Sequence, residues 1–378
     1  MAPNMTAPLH VLVTGGAGFI GAHLTDGLLA AGHAVRVLDN LDPQAHEGGH
    51  PQNVSPEAEF VHADFRDREA VATALDGIDA VFHQGGMVGN GQSMYELHRY
   101  IDVNGGGTAI LLEEILRRRD RVQRLVVASS MVVYGEGSYT CPEHGVVAPN
   151  LRDEASLAAH RWEPLCPRCA GPVDPAATAE DAPLKPTSTY AVSKRDCEEL
   201  CLITGRAHRI PVVALRYLNT YGPRQALSNP YTGVAAVFST QLLNGRRPVI
   251  YEDGAQLRDL THITDVVRAN LLALTSVAAV GHAINVGTGA SISVRQLAAT
   301  LAHDLGVDLE PEVTGAYRAG VIRHCWADVT LAERLLGFRA EADRAACLRE
   351  LAGWVAEQRP VDRTGAATAE LRSRGLIR

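Results

Sequence analysis

The chain has 378 residues, with 35 Lys and Arg against 43 Asp and Glu and a formal net charge of −8 at pH 7. At about 150 residues per domain this is one large or two modest domains, and 46% hydrophobic with 21% charged residues excludes disordered and fibrous classes. An acidic chain without a basic stripe is a poor nucleic-acid binder, and no apolar run reaches the ~18 residues of a membrane span. The opening residues, MAPNMTAPLH, lack the basic and apolar regions of a secretion signal. Seven cysteines, an odd number that clusters, fit a cytoplasmic chain with thiols or a metal better than a disulfide scaffold.

LHVLVT (9–14) is a continuous apolar run that stops in glycines, as a strand buried on both faces does. Residues 19–31 have helical periodicity and end at Gly32. AVRVLD (34–39), EFVHAD (59–64), DAVFHQ (79–84), RLVVASS (124–130) and VVALRY (212–217) predict further strands, with helices over 67–75 and 93–118 between them. Such alternation predicts a parallel sheet with right-handed crossovers. Residues 137–186, rich in Pro, Cys and Glu and poor in periodicity, read as a functional insertion. Helices are expected near 231–244, 264–275, 293–305 and 344–357, so residues 219–357 form a smaller lobe over the ligand and 358–378 a loosely held polar tail.

TGGAGFIG (14–21) follows the first strand and opens the first helix. Gly15 permits the tight turn, Gly18 lets a pyrophosphate approach the helix N-terminus, and Gly21 lets helix and strand pack closely. Asp39, at the end of the second strand, can accept hydrogen bonds from an adenosine ribose and repel a 2′-phosphate; no Arg flanks it, so NAD is expected rather than NADP. Residues 9–218 thus read as an α/β domain with a doubly wound, Rossmann-type parallel sheet. Asp64 either reaches the adenine amino group or caps a helix in ADFRD.

Tyr190 and Lys194, in TSTYAVSK, share a helix face at i and i+4. The ammonium would lower the phenol pKa, giving a base near neutral pH, and could also hold the nicotinamide ribose. Ser129 and Ser130 end the fifth strand, where parallel sheets place ligands; a hydroxyl there can relay a proton with Tyr190. Cys141 and His144, in CPEHG, and Cys166 and Cys169, in CPRCAG, form two close pairs that suit tetrahedral zinc. Such a metal would fold an insertion too poor in apolar residues to fold alone. Free thiols, or a ligand set that no longer binds, are the alternatives. Cys197, Cys201, Cys325 and Cys347 read as ordinary helix or core residues.

These pieces, with DVNGGGT (102–108), ASSMVVYG (128–135), LRYLNTYGPR (215–224), RDLTHITDV (258–266) and NVGTG (285–289), resemble the nucleotide-sugar epimerase/dehydratase family of extended short-chain dehydrogenases/reductases over about residues 9–330. Within it the chain is most similar to 4-epimerases of the dTDP-L-rhamnose type, through GQSMYE (91–96), CPEHG (141–145), SNPYTGVAA (228–236) and YRAGVIRHCWAD (317–328). The resemblance implies NAD in the N-terminal domain and a nucleotide-diphosphate sugar held by the C-terminal lobe. Ser130, Tyr190 and Lys194 match the catalytic set. Asn219 matches a sugar-nucleotide contact, and Arg258 and Arg323 match arginines that clamp the diphosphate; a surface ion pair is the alternative for either Arg. Further cofactor contacts are implied for Phe19, Ile20, Asn40, Phe65, Gln84, Gly85, Gly86, Asn104, Ser129 and Tyr217, and substrate contacts for Met87, Gly89, Met131 and Arg224. One departure is HQGGMVGNG (83–91), where the family more usually has an Ala-Ala pair. The resemblance also implies a homodimer, paired through a four-helix bundle.

The family runs several reactions from one oxidation at sugar C4. Dehydratases carry Asp-Glu after the catalytic Ser/Thr, and decarboxylases a nearby Glu. Here Met131-Val132-Val133 follow Ser130 and cannot transfer protons. An NAD-dependent 4-epimerase, with cofactor retained through a transient 4-keto sugar, is therefore expected; a decarboxylase, dehydratase or 4-reductase on the same scaffold, or an NAD(H)-sensing module without chemistry, are the alternatives.

Overall fold

The computed structural model describes residues 7–46, 51 and 53–378; MAPNMT, part of the segment read for secretion, lies outside them. β1 (His10–Thr14), α1 (Phe19–Ala30), β2 (Ala34–Asp39), β3 (Glu59–His62), α2 (Arg68–Ala74) and β4 (Ala80–His83) open the chain. α3 (Asn90–Ser93), α4 (Leu97–Tyr100), a π-helical turn (Ile101–Gly106), α5 (Gly107–Arg117) and β5 (Arg124–Ser130) follow. The insertion contains β6 (Ser138–Cys141), β7 (Gly145–Val147), α6 (Glu154–Ala158) and β8 (Asp174–Ala176). After α7 (Thr189–His208) and β9 (Val212–Tyr217) come β10 (Asn219–Tyr221), α8 (Val234–Leu243), β11 (Val249–Ile250), β12 (Leu257–Arg258), β13 (Leu260–His262), α9 (Ile263–Thr275) and β14 (Ala283–Val286). α10 (Val294–Asp304), α11 (Thr330–Leu336), α12 (Arg344–Ala356) and α13 (Thr364–Ser373) close the chain.

The main sheet has seven parallel strands in the order β14-β9-β5-β4-β1-β2-β3. Alternate residues bury opposite faces: Val11, Val13, Val37, Phe82 and Val126 pack on one side, and Leu12, Leu38, Val81, Leu125 and Val127 on the other. Burial on both faces is why these strands read as unbroken apolar runs. The order reverses between β1 and β4, and the C-terminal strand ends face the crevice where such sheets bind ligands. A second core, built on Phe238, Leu242, Leu297, Leu301 and Leu351, holds the C-terminal lobe together.

Three expectations change. β14 joins the main sheet, and α9 packs on α1, so residues after 218 return to the first domain rather than staying in the second. The helix expected over 93–118 is broken. At the π turn Asn104 faces inward, accepting from Met87 N (2.7 Å) and donating to Met87 O (3.1 Å) and Ser193 Oγ (2.8 Å). Phe65 crowds the last glycine of the run after Asn104: a Cβ on Gly107 would stand 2.2 Å from that ring. The C-terminal stretch is not a loose tail either. Leu371 and Ile377 are buried, and Tyr317 and Arg378 exchange main-chain hydrogen bonds (2.9 and 3.0 Å).

His83, at the end of β4, is buried between two threonines. Thr108 Oγ1 donates to Asn104 O (2.6 Å), so it accepts from His83 Nε2 (2.9 Å), leaving His83 Nδ1 to accept from Thr14 Oγ1 (2.7 Å). Burial, then the Lys194 charge, pushes this imidazole down to about 3. Its folded pKa lies below its unfolded value, so its contribution is complete above about pH 6.5 and is lost as pH falls toward 3. In His83→Gln that loss disappears. The stability gap between parent and variant, from urea unfolding, should narrow by about 2 kcal/mol between pH 7 and pH 5.

Candidate active site

The glycine turn is shaped by close backbone contacts, and it leaves the first amides of α1 uncapped. Gly15 adopts φ +68°, and a Cβ there would lie 2.6 Å from Gly85 Cα. Gly18 caps α1 with no side-chain hydrogen bond to the first-turn amides, so those donors and the helix dipole remain available to an anion. Asp39 accepts from Ala17 N (3.0 Å) and Leu41 N (2.9 Å), which ties the end of β2 to the turn. Beside it Asn40 Nδ2 donates to Asp64 Oδ2 (2.9 Å), and Asp64 is also held by Arg66 rather than capping a helix; Asp67 caps α2. These features fit a dinucleotide.

α7 presents Tyr190 and Lys194 because Ser188 caps its start, accepting from Ala191 N (3.1 Å). Further along, Glu198 anchors the helix through a buried bidentate pair with Arg216 of β9 (2.6 and 2.9 Å). Burial pushes the Tyr190 phenol up to about 12, while its hydrogen bond with the Ser130 hydroxyl pulls the other way. Burial lowers Lys194. Its ammonium donates to Ala128 O (2.8 Å) in β5, which fixes it one helical turn from Tyr190 on the same face of α7.

The trio opens into a cleft of about 490 Å³, the size of a small-ligand site. Of the residues expected to touch cofactor or substrate, Phe19, Ile20, Gln84, Gly89, Ser129, Met131, Tyr217 and Asn219 line it. Gln84 and Tyr217 are joined side chain to side chain (3.0 Å) and share Asn270. Arg258 also lines it, donating to main-chain carbonyls of Leu257 (2.8 Å), Arg323 (2.7 Å) and Ile322 (2.8 Å).

Comparison with known proteins settles the kinship. The model of the NAD-dependent epimerase/dehydratase family matches residues 11–152 and 167–287. The chain belongs to this family. It is 32% identical over 355 residues to a dTDP-L-rhamnose 4-epimerase of Burkholderia thailandensis, covering 92% of this chain and 95% of that protein. Among solved structures, a UDP-glucose 4-epimerase of Thermotoga maritima with UDP-glucose superposes with a TM-score of 0.74 at 28% identity, covering 92% of this chain and 98% of that one. A UDP-glucose 4-epimerase of Thermus thermophilus in complex with NAD gives 0.72 at 29% identity, covering 93% and 100%.

Against the family pattern, several positions sit differently from expectation. Arg323 does not line the cleft. It is buried, paired with Glu163 (2.7 Å), Asp253 (2.7 Å) and Glu252 (3.0 Å). Arg224 borders a separate, smaller hollow and pairs with Asp26 (2.6 Å). The Ser129 hydroxyl donates to Glu198 (2.6 Å) and so helps place α7. Met87 is held through its backbone by Asn104, and the glycines that replace the usual Ala pair are where neighbours press in. A Cβ on Gly85 would meet Phe65 at 2.9 Å, and one on Gly86 would meet Asn104 Oδ1 at 2.9 Å. Sequence reasoning missed Arg318, which does line the cleft and stacks on Tyr251 (4.1 Å); YRAGVIR carries two arginines, and residue type alone does not tell which of them faces the cleft. It also missed Leu371 and Leu376 of the C-terminal segment, which wall the cleft.

In the insertion, one ligand atom each from Cys141, His144, Cys166 and Cys169 lie within 4.8 Å of one another. Cys141 Sγ is 3.8 Å from Cys169 Sγ and 3.5 Å from His144 Nδ1, and Cys166 Sγ is 3.7 Å from the same nitrogen. These are edge lengths of a tetrahedron around one metal ion with bonds of about 2.0–2.3 Å. Arg168 N donates to Cys166 Sγ (3.5 Å), the kind of amide contact that favours thiolate.

Proposed function

We propose that the protein is an NAD-dependent 4-epimerase of a nucleotide-diphosphate sugar: a deoxyhexose, hexose or heptose. One observation supports this choice within the family. Next to Ser130 the cleft presents Met131 and Val132, and the one glutamate in its lining among the described residues, Glu252, is committed to Arg152 and Arg323 (3.0 Å each). Elimination or decarboxylation needs a further acid or base; inversion at C4 does not. NAD bound at the glycine turn would take hydride from C4 and return it. Tyr190 removes the C4 hydroxyl proton, Ser130 bonds the same oxygen and shares the proton, and the keto sugar turns over in the cleft before the phenol returns it. Arg258, joined by Arg318, offers charge-assisted bonds to the diphosphate, and Asn219 a contact to the sugar nucleotide.

The test is a panel of nucleotide sugars incubated with purified protein and no added NAD, after acid release from a separate sample has shown the resident cofactor. A product of unchanged mass with inverted C4 supports the reading. Loss of 44 or 18 mass units would instead indicate decarboxylation or dehydration.

Three companions to this reading follow. Cys141, His144, Cys166 and Cys169 hold a structural zinc, and elemental analysis of protein made with zinc supplied should find about one per chain. A homodimer forms through α4, the π turn and α7, which expose Leu97, Ile101, Val192, Leu200 and Ile203 on their outer faces; light scattering should give twice the chain mass. The location is cytoplasmic, where thiols stay reduced. None of the helices among the described residues is long and apolar enough to cross a membrane.

Ser130→Ala removes the group that lowers the Tyr190 pKa. Because the reaction needs the deprotonated phenol, the rising limb of kcat/KM against pH should move to higher pH in this variant.

A further inference from the structure

We propose that the Cys/His insertion is a brace for the diphosphate site, acting through Glu163 and Arg323 as positioning residues. This rests on the reading of Arg258 as a diphosphate ligand. Three carbonyls aim Arg258, and two of them belong to Ile322 and Arg323. The insertion and Glu136, the residue just before it, fix that segment from several directions. Arg323 N donates to Glu136 Oε2 (2.7 Å). The Arg323 guanidinium reaches Glu163 Oε1 (2.9 and 2.7 Å), and His324 Nε2 meets Glu163 Oε2 (2.9 Å). Arg152 donates to Val321 O (2.9 Å) and to Trp162 O (2.9 Å), so it ties the insertion to the same strand of carbonyls.

Both anchors sit just ahead of the paired cysteine ligands. Glu136 leads into β6, which ends at Cys141, and Glu163 is followed by Pro164, Leu165 and Cys166. The Cys/His node therefore fixes where the two carboxylates stand. They fix residues 321–324, and those carbonyls fix Arg258. The family model breaks off between 152 and 167, the part of the insertion that carries Glu163. Glu163 and Cys166 thus lie outside the matched scaffold, while Glu136 and Arg152 lie within it. Charge makes the linkage stiff: Arg152, Arg323, Glu136 and Glu252 are all buried, where pairs are weakly screened and leaving one partner alone is costly.

The buried arginines are poor test sites, because removing either strands carboxylates in the interior. Glu163 is better, since its side chain is half exposed. The experiment uses the NAD-loaded holoenzyme and its Glu163→Gln variant. Thymidine diphosphate and uridine diphosphate binding is measured by calorimetry, together with KM and kcat on the accepted sugar, NAD released by acid, and Tm. The expected result is a roughly tenfold rise in the diphosphate Kd and in KM, since small displacements of a positioning group cost about this much or more. NAD content, and kcat within twofold, stay at the parent value, and binding of the unphosphorylated nucleosides does not change. Cys166→Ser should weaken diphosphate binding in the same way. Parent-like diphosphate affinity in both variants, or equal loss of kcat, NAD and diphosphate binding, would overturn the brace. The calorimetric readout needs no turnover, so it holds or fails independently of whether the sugar is epimerised.

Discussion

Tyr190→Phe will lose turnover by roughly 10²–10⁴-fold, the usual worth of a positioned acid–base group, while NAD remains bound. The ring sits second in α7, behind the Ser188 cap, buried against Tyr100 at 6.2 Å between ring centres. Phenylalanine keeps that packing and loses only the oxygen that Ser130 contacts. The comparison to make is kcat on the best nucleotide sugar, alongside NAD released by acid and Tm. Near-parent kcat in this variant would remove Tyr190 as the base. A fall in NAD content matching the fall in kcat would make the residue a cofactor ligand first.

Gly21→Ala is expected to empty the dinucleotide site. An added Cβ would stand 2.1 Å from Gly15 O and 2.7 Å from Gly16 Cα. Both are backbone atoms, so no rotamer change relieves the clash; α1 must move away from the turn. Overpacking of this kind costs about 1–3 kcal/mol or more, and it falls on the segment that would bind pyrophosphate. Purified variant should carry little or no NAD and melt several degrees lower. Gly18→Ala is the control, because its added Cβ meets only Gly15 O, at 3.3 Å; it should keep more cofactor than Gly21→Ala. Equal NAD occupancy in Gly21→Ala and the parent would contradict the close-packing role.

The parallel sheet was legible because its strands are buried on both faces, and continuous apolar runs bounded by glycine or charge admit few other readings. β2, β5 and β9 have the bounds read from sequence. β14 was invisible: AINV is four residues, too short for a pattern, and only its pairing with β9 makes it a strand. The π turn at Ile101–Gly106 was missed because helical periodicity does not register one; it carries Asn104, which bonds the Met87 backbone. The tail misled by its polarity. Leu371, Leu376 and Ile377 are few, but all are used.

At the site, residue type and spacing revealed what the backbone dictates: a glycine turn, a strand-end serine, a Tyr and a Lys one helical turn apart. They failed where a long side chain chooses among partners. Arg323 and Arg318 lie five residues apart in one segment, and only the fold shows that the first meets Glu163, Asp253 and Glu252 while the second faces the cleft. Likewise the spacing places Lys194 beside the phenol, but only the fold shows that its ammonium also donates to the Ala128 carbonyl of β5. The cysteine pairs were the opposite case. Short knuckles fix their own geometry, so two distant pairs needed only one sheet of three strands, β7-β6-β8, to meet.

The central claim is that one hydrogen leaves C4 and returns to its other face inside a closed cofactor cycle. Purified holoenzyme, without added NAD, should be given the nucleotide sugar it epimerises, deuterated at C4, and the product analysed by NMR and mass spectrometry. The account predicts product of unchanged mass, inverted at C4, with deuterium still on that carbon. Deuterium lost to solvent, or found at C3 or C5, would contradict it.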